Sequence, residues 1–138
     1  CALPISAANS SFLTDGAAAT LIMTEDKALE LNLRPKSRII DFAFTGQSLD
    51  DELLLGPAYA IPKVLQKTGL TLDDIDVFEL HEAFAGQVLA VLKALESDAF
   101  ATEKLGLKQM LGKIPMEKIN TQGGSLSIGH PFGATGAR

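Results

Sequence analysis

The run "GGSLSIGHPFGATG", residues 123–136, limits the backbone of this chain more than any other stretch. Glycines at 123, 124, 129, 133 and 136 let the chain reach positive φ or approach another group closely. Pro131 fixes its own φ and holds the residue before it, His130, to an extended conformation. The stretch reads as a short strand, a turn at Gly129-His130-Pro131 and the start of a helix near Phe132. The positive end of that helix would then lie close to the imidazole, a setting that suits stabilisation of an anion or thiolate. A glycine-rich junction with a surface histidine gives the same pattern. A phosphate loop fits less well, because no GKS or GKT follows and the glycine spacing is not GxGxxG after a first strand.

The apolar periodicity upstream supplies elements for such a junction to connect. Residues 16–24 form a small and apolar run that fits a buried strand. "EDKALELNL", residues 25–33, reads as a short amphipathic helix ended by Pro35. "SRIIDFAF", residues 37–44, is a strand candidate followed by Gly46. A loop follows, with Leu53–Leu55 assigned to the core. Residues 60–68 place Ile61, Val64 and Leu65 on one helical face. Pro62 is tolerated only in a first turn, so the expected start is Ala60, and Gly69 is the expected stop. Val77–Leu80 reads as a short strand. Phe84, Val88, Leu92 and Leu95 recur at helical spacing and predict a helix from Ala83 to Phe100. Residues 103–119 read as an excursion. Strands alternating with helices point to an α/β layered fold.

Composition narrows the function classes. With 138 residues, 46% of them hydrophobic, the chain has the makings of about one packed domain. Seventeen acidic residues against 12 basic ones give a net charge of −5, with no basic stripe, which argues against nucleic acid or an anionic membrane surface as partner. No apolar run is long enough to span a bilayer. Cys1 is the single cysteine, so neither an internal disulfide framework nor a cysteine-based metal site is expected.

His81 and His130 are the only two histidines. His81 sits where a strand end meets a helix start, a favoured place for ligand and catalytic groups in α/β folds, and could donate to a developing oxyanion. A half-buried histidine satisfied by backbone explains the same position. Glu82 reads as a base or as a partner of the helix dipole. Asn9, Ser10, Ser11, Asp15 and Gly16 cluster before the first strand candidate, where Asx or Ser turns account for them locally.

Four blocks carry a family resemblance. "NTQGGSLSIGHPFGATGAR" resembles the thiolase signature NxxGGxxxxGHPxGxxGxR. "HEAFAGQ" looks like the thiolase NEAF block in its histidine form, found in fatty-acid-oxidation complexes. "ANSSFLTDGAAA" and "LLGPAYAIPKVLQKTGL" resemble two further blocks, and all four occur in family order across residues 7–138. The resemblance implies a layered α/β/α thiolase fold with mixed sheets, incomplete here. Residues 7–37 correspond to the end of the N-terminal domain and residues 38–138 to a truncated C-terminal domain. Residues 1–6, beginning "CALPI", match none of these blocks and read as foreign adapter-derived sequence.

The implied reaction is thiolytic cleavage of a 3-ketoacyl-CoA by CoA, giving acetyl-CoA and a shortened acyl-CoA through an acyl-cysteine. His130 matches the histidine that activates the thiol. His81 matches the NEAF position, donating to the oxyanion directly or through water. Ser11 matches a serine on the CoA pantetheine arm, Glu82 a glutamate beside the site, and Gly129 a residue that shapes the loop. CoA and acyl-CoA are substrates, and neither a cofactor nor a metal is implied. Both catalytic cysteines of the family are expected outside this segment, with Cys1 matching neither, so the segment alone is expected to be inactive. The implied partners are a second copy in a homodimer and a hydratase/dehydrogenase α-subunit; the implied compartment is the bacterial cytoplasm or the mitochondrial matrix. A thiolase-like protein that binds acyl-CoA or lipid without catalysis is the alternative. A ketoacyl synthase of the same superfold is disfavoured by the HEAF and GHP blocks together.

Overall fold

A computed structural model describes residues 5–138. Cys1–Pro4, most of the stretch read as foreign, lie outside the described residues.

Among the described residues five α-helical segments form: α1 Glu25–Glu30, α2 Gly56–Thr68, α3 Ala85–Leu95, α4 Asp98–Lys104 and the single turn α5 Ser125–Ile128. Thr24 caps α1 by accepting from the Lys27 amide, and the helix gives way to Asn32 at φ 54°, before Pro35 is reached. The start of α2 is four residues earlier than Ala60. Pro57 supplies the preset φ of a first helical turn, so Pro62 falls inside the helix without an N–H for the Ala58 carbonyl. An interior proline costs about 3 kcal/mol. Here Pro62 is buried together with Ala58 and Leu65, which offsets part of that cost. Gly69 stops the helix in the left-handed conformation at φ 72°, as its sequence position predicts.

The helix expected over Ala83–Phe100 is two helices. Ser97 accepts from the Phe100 amide and opens α4 as a new N-cap. Such a cap is a local hydrogen bond that the apolar spacing of Val88, Leu92 and Leu95 does not register. Between α4 and α5 the excursion turns on Gly106 (φ 66°) and Gly112 (φ 130°). Leu111 and Gly112 both donate to the Leu95 carbonyl, which ties the excursion to the end of α3.

One core forms, from α2, α3 and the segments around Phe78 and Ile114. Val91 and Leu95 are 0% and 1% exposed at its centre, joined by Ala58, Leu65, Leu72 and Val88. Every member of that cluster lies between residues 58 and 114.

Among the described residues the segments expected as strands form no ladder. Sheet-type pairing is confined to the isolated bridges Ser10–Phe84, Leu13–His130 and Phe78–Ile119. Residues 16–24 are not a buried strand: Leu21 and Ile22 are exposed. Residues 37–44 form neither strand nor helix, and Ile39, Ile40, Phe42 and Phe44 are all exposed. Val77–Leu80 makes a single parallel bridge through Phe78. Leu53 and Leu54 are exposed rather than core, and only Leu55 packs on the cluster. The physical reason is common to all. Alternation and β-branching record that a segment suits a pleated surface, whereas a ladder needs a second backbone about 4.8 Å away. Residues 125–128, expected as a strand, instead wind into α5. Ser127 and Ile128 donate back to the Gly124 carbonyl, which the unhindered glycine backbone permits.

Candidate active site

The histidine segments lie about fifty residues apart, and a third segment joins them. Residues 10–13 lie between the two. Ser11 donates its amide to the Ala83 carbonyl (3.0 Å), beside the antiparallel bridge from Ser10 to Phe84. On the other side the His130 amide donates to the Phe12 carbonyl (2.8 Å), within the parallel bridge from Leu13 to His130. Ser11, placed in a polar cluster by sequence, thus lies on the segment between the two histidine blocks, tied to one of them by its backbone. Asn9 and Ser10 make the local turn contacts expected of them: Asn9 Oδ1 accepts from the Ser6 amide, and Ser10 Oγ donates to the Ser6 carbonyl.

A second tie runs through Asn120, which is buried at 9% exposure and holds φ at 47°. Its Oδ1 accepts from the Leu80 amide (2.7 Å), and its Nδ2 donates to the Leu80 carbonyl (2.9 Å) and to Glu82 Oε1 (2.6 Å). The second carboxylate oxygen of Glu82 accepts from the Leu126 amide in α5 (3.1 Å). Glu82 therefore serves the N-terminal turn of α5, not that of α3, which begins only at Ala85. Gly124 leaves room for this carboxylate; a Cβ there would overlap it. The two ends of the NTQGG block are thus locked onto the residues flanking His81.

These ties bring the imidazoles of His81 and His130 into contact, with ring centroids 4.1 Å apart and planes tilted by 39°. His81 is exposed and His130 half-buried. Nδ1 of His81 lies 2.9 Å from Oγ of Ser125, which is 2% exposed. Partial loss of solvent pushes the His81 pKa below its ordinary value, and the neighbouring His130 and Arg138 add to this while Glu82 opposes it. His81 is thus biased to the neutral ring. Phe132 sets its edge against His130 at 4.5 Å.

Gly129 is buried, with φ 83° and ψ 176°, a region open almost only to glycine. A Cβ there would come within 2.5 Å of the Thr14 methyl and 2.8 Å of the Phe12 ring. No helix starts at Phe132. A single turn closes instead, with Ala134 and Thr135 amides donating to the Pro131 carbonyl, and a 3₁₀ turn over Thr135–Ala137 follows. One side-chain hydrogen bond, between Nδ1 and Thr135 Oγ1 at 2.9 Å, rather than a helix end meets the His130 ring.

The sequence reading missed Asn120, Ser125, Thr135 and Arg138. Ser125 and Thr135 lie within the glycine-rich run 123–136, and Asn120 and Arg138 flank it. The polar side chains in and beside that run were the available signal. Among the described residues no group of His, Cys, Asp and Glu is clustered to hold a metal ion. A cleft of about 450 Å³ lies elsewhere, between Phe42–Phe44 and the Lys63–Lys67 side of α2, and is wide open to solvent.

Comparison with known proteins gives this geometry a context. Residues 33–138 match the family model "Thiolase, C-terminal domain". The mitochondrial trifunctional enzyme subunit beta of Bos taurus is 61% identical over 97% of this chain and 28% of its own length. A probable 3-ketoacyl-CoA thiolase of Caenorhabditis elegans is 58% identical over 97% of the chain and 30% of its own. Among solved structures, the dimeric peroxisomal thiolase of Saccharomyces cerevisiae superposes with a TM-score of 0.76 at 41% identity, covering 96% of this chain and 30% of that one. The chain thus spans a little under a third of the length of the relatives it matches.

Proposed function

This chain belongs to the thiolase family, and on that premise we propose that it forms the two-histidine part of a 3-ketoacyl-CoA thiolase. The single observation that carries the reading is the contacting pair of imidazoles, 4.1 Å apart, on the HEAF and GHP blocks. A thiolase needs a base for a thiol and a donor for the oxyanion that forms when the thiolate adds to the 3-keto carbon. His130 takes the thiol proton. His81, biased to the neutral ring, offers an N–H to the oxyanion. Collapse of the adduct breaks the bond between carbons 2 and 3, the second catalytic cysteine expected outside this segment protonates the acetyl-CoA enolate, and the acyl group stays on the first sulfur. CoA then gives its thiol proton back to that second cysteine, attacks the thioester and takes the acyl group, which frees the first sulfur as thiolate.

In this reading Ser11 meets the pantetheine arm. Glu82 and Gly129 hold the loops that carry the histidines. The thiol belongs to a cysteine other than Cys1, so the 138-residue chain alone does not turn over substrate. The fatty-acid β-oxidation role, the homodimer and the hydratase/dehydrogenase α-subunit partner rest on the likeness to the trifunctional enzyme subunit beta and the dimeric yeast thiolase. A mitochondrial compartment rests on the same relative. Among the described residues no helix is long and apolar enough to cross a membrane.

The test is a thiolysis assay on the intact protein that carries this segment, with 3-ketoacyl-CoA and CoA. Turnover that falls about 10²–10⁴-fold in His130→Ala is expected. Tight CoA binding with no turnover in the unsubstituted protein would instead establish the non-catalytic acyl-CoA-binding alternative. Cleavage by the 138-residue chain alone would refute the requirement for an outside cysteine.

A further inference from the structure

We propose that Thr135 is a positioning residue that fixes the tautomer of His130. The inference follows from counting protons on one hydroxyl. Thr135 Oγ1 lies 3.2 Å from the Pro131 carbonyl oxygen and 2.9 Å from Nδ1 of His130. A carbonyl oxygen can only accept, and a threonine hydroxyl has one proton to give. Once that proton points at Pro131, the oxygen meets His130 with a lone pair. Nδ1 must then carry the hydrogen, and Nε2 is left with its lone pair free.

The surrounding structure holds this arrangement in place. The turn that brings Thr135 back to Pro131 is closed by the Thr135 amide, which donates to the same carbonyl at 3.0 Å. The backbone of His130 is held from the other side by its amide, which donates to the Phe12 carbonyl, and the Arg138 guanidinium donates to the Gly129 carbonyl at 3.1 Å. The ring and the hydroxyl therefore approach each other from two anchored positions. A histidine that is to act as a base through one nitrogen is fixed by the hydrogen bond made by the other. Carboxylates often play that part. Here a neutral hydroxyl does, which orients the ring without adding a negative charge beside it.

The catalytic consequence rests on the thiolase reading; the tautomer itself does not. In that reaction Nε2 takes the proton from the thiol sulfur. The thiol becomes a thiolate, the ring becomes an imidazolium, and Nδ1–H keeps its bond to Oγ1 throughout.

Two measurements test the assignment separately. With only two histidines in the 138-residue chain, long-range ¹H–¹⁵N NMR resolves both rings. Above the titration range, His130 is expected to show a pyrrole-like Nδ1 and a pyridine-like Nε2. In Thr135→Val that preference should be lost, and in Thr135→Ser it should persist. The opposite tautomer in the unsubstituted chain overturns the proposal, as does an unchanged Nδ1–H in Thr135→Val. If Thr135→Val fails to fold, the unsubstituted chain and Thr135→Ser still decide the matter. In the intact protein, Thr135→Val should lower kcat about 10–100-fold, on the scale of lost ligand-orienting partners, with KM for the ketoacyl-CoA little changed and Thr135→Ser close to normal. Equal losses in Thr135→Val and Thr135→Ser would show a role other than the hydroxyl's. An inactive unsubstituted protein with the expected tautomer would count against the thiolase reading alone.

Discussion

Residues 16–54 and residues 55–138 are both rich in apolar side chains, yet they spend them differently. In the second region Val91, Leu95 and Ile114 are almost wholly out of water. In the first, Ala28 is the one hydrophobic residue among the buried core, while Leu21, Ile22, Ile39, Ile40, Phe42 and Phe44 face solvent. The difference lies in where the backbone hydrogen bonds go. A helix satisfies its own and needs only a neighbour for its apolar stripe, which α2, α3 and α4 provide for one another. A segment outside a helix must find its backbone partners in another segment, a side chain or water, and no bridge pairs residues 37–44 with another backbone among the described residues. What order this segment has comes from side chains: Lys67 on α2 pairs with Asp41, donates to the Phe42 carbonyl at 2.8 Å and lies over the Phe42 ring.

Substitutions should separate the two regions in proportion to burial. Leu95→Ala is expected to have the largest effect, a loss of about 2–5 kcal/mol, read as a lower urea midpoint. Ile40→Ser, equally apolar but exposed, should stay within about 0.5 kcal/mol. A comparable loss in both would erase the distinction between the regions. Next comes Asn120→Ala, which strips the Leu80 amide and Glu82 of a partner. It should cost about 1–3 kcal/mol and abolish nuclear Overhauser contacts between the His81 and His130 rings. Rings that remain in contact would show that residues 10–13 hold the site alone.

Gly129→Ala should cost about 1–3 kcal/mol through its backbone conformation, with more from the clash with Thr14 and Phe12. Gly133→Ala, in the same loop with open space around it, should change the urea midpoint little, and a matching loss there would mean that the loop does not discriminate between its glycines.

The smallest effect expected is on pH dependence. His81 has a folded pKa below its ordinary 6.5. Unfolding then takes up protons between the two values, so stability is full above 6.5 and declines as pH falls towards the folded value. His81 is exposed, so solvent screening keeps this contribution slight. His81→Gln should flatten the stability profile across that window, and an unchanged slope would assign the dependence to another group.

Much of the site was legible because its blocks combine rare constraints. His130 sits between a glycine that only glycine can replace and a proline that narrows its backbone. His81 sits just ahead of a helix marked by Phe84, Val88, Leu92 and Leu95. The sequence could not reveal the partners of those histidines. Asn120 reaches Leu80 across forty positions, and nothing in its local pattern encodes that reach. The same limit explains the strands: residues 37–44 carry the right side chains, while pairing is a property of two segments. Helix ends were legible where one residue decides them, as at Gly69, and not where two signals compete, as Pro57 and Pro62 do in α2.

The segment 10–13 has a further consequence for how the molecule assembles. It joins Phe12 to His130 and Ser11 to Ala83, contacts whose partners are separated by most of the chain. Closing so long a loop carries a large entropic cost, and contacts of high sequence separation slow folding. The helices can dock through near neighbours well before that happens. The two imidazoles should therefore meet only after the helical core is in place, and part again in the first excursions of the folded chain, so that hydrogen exchange at the amides of Ser11 and His130 runs ahead of that at Val91 and Leu95.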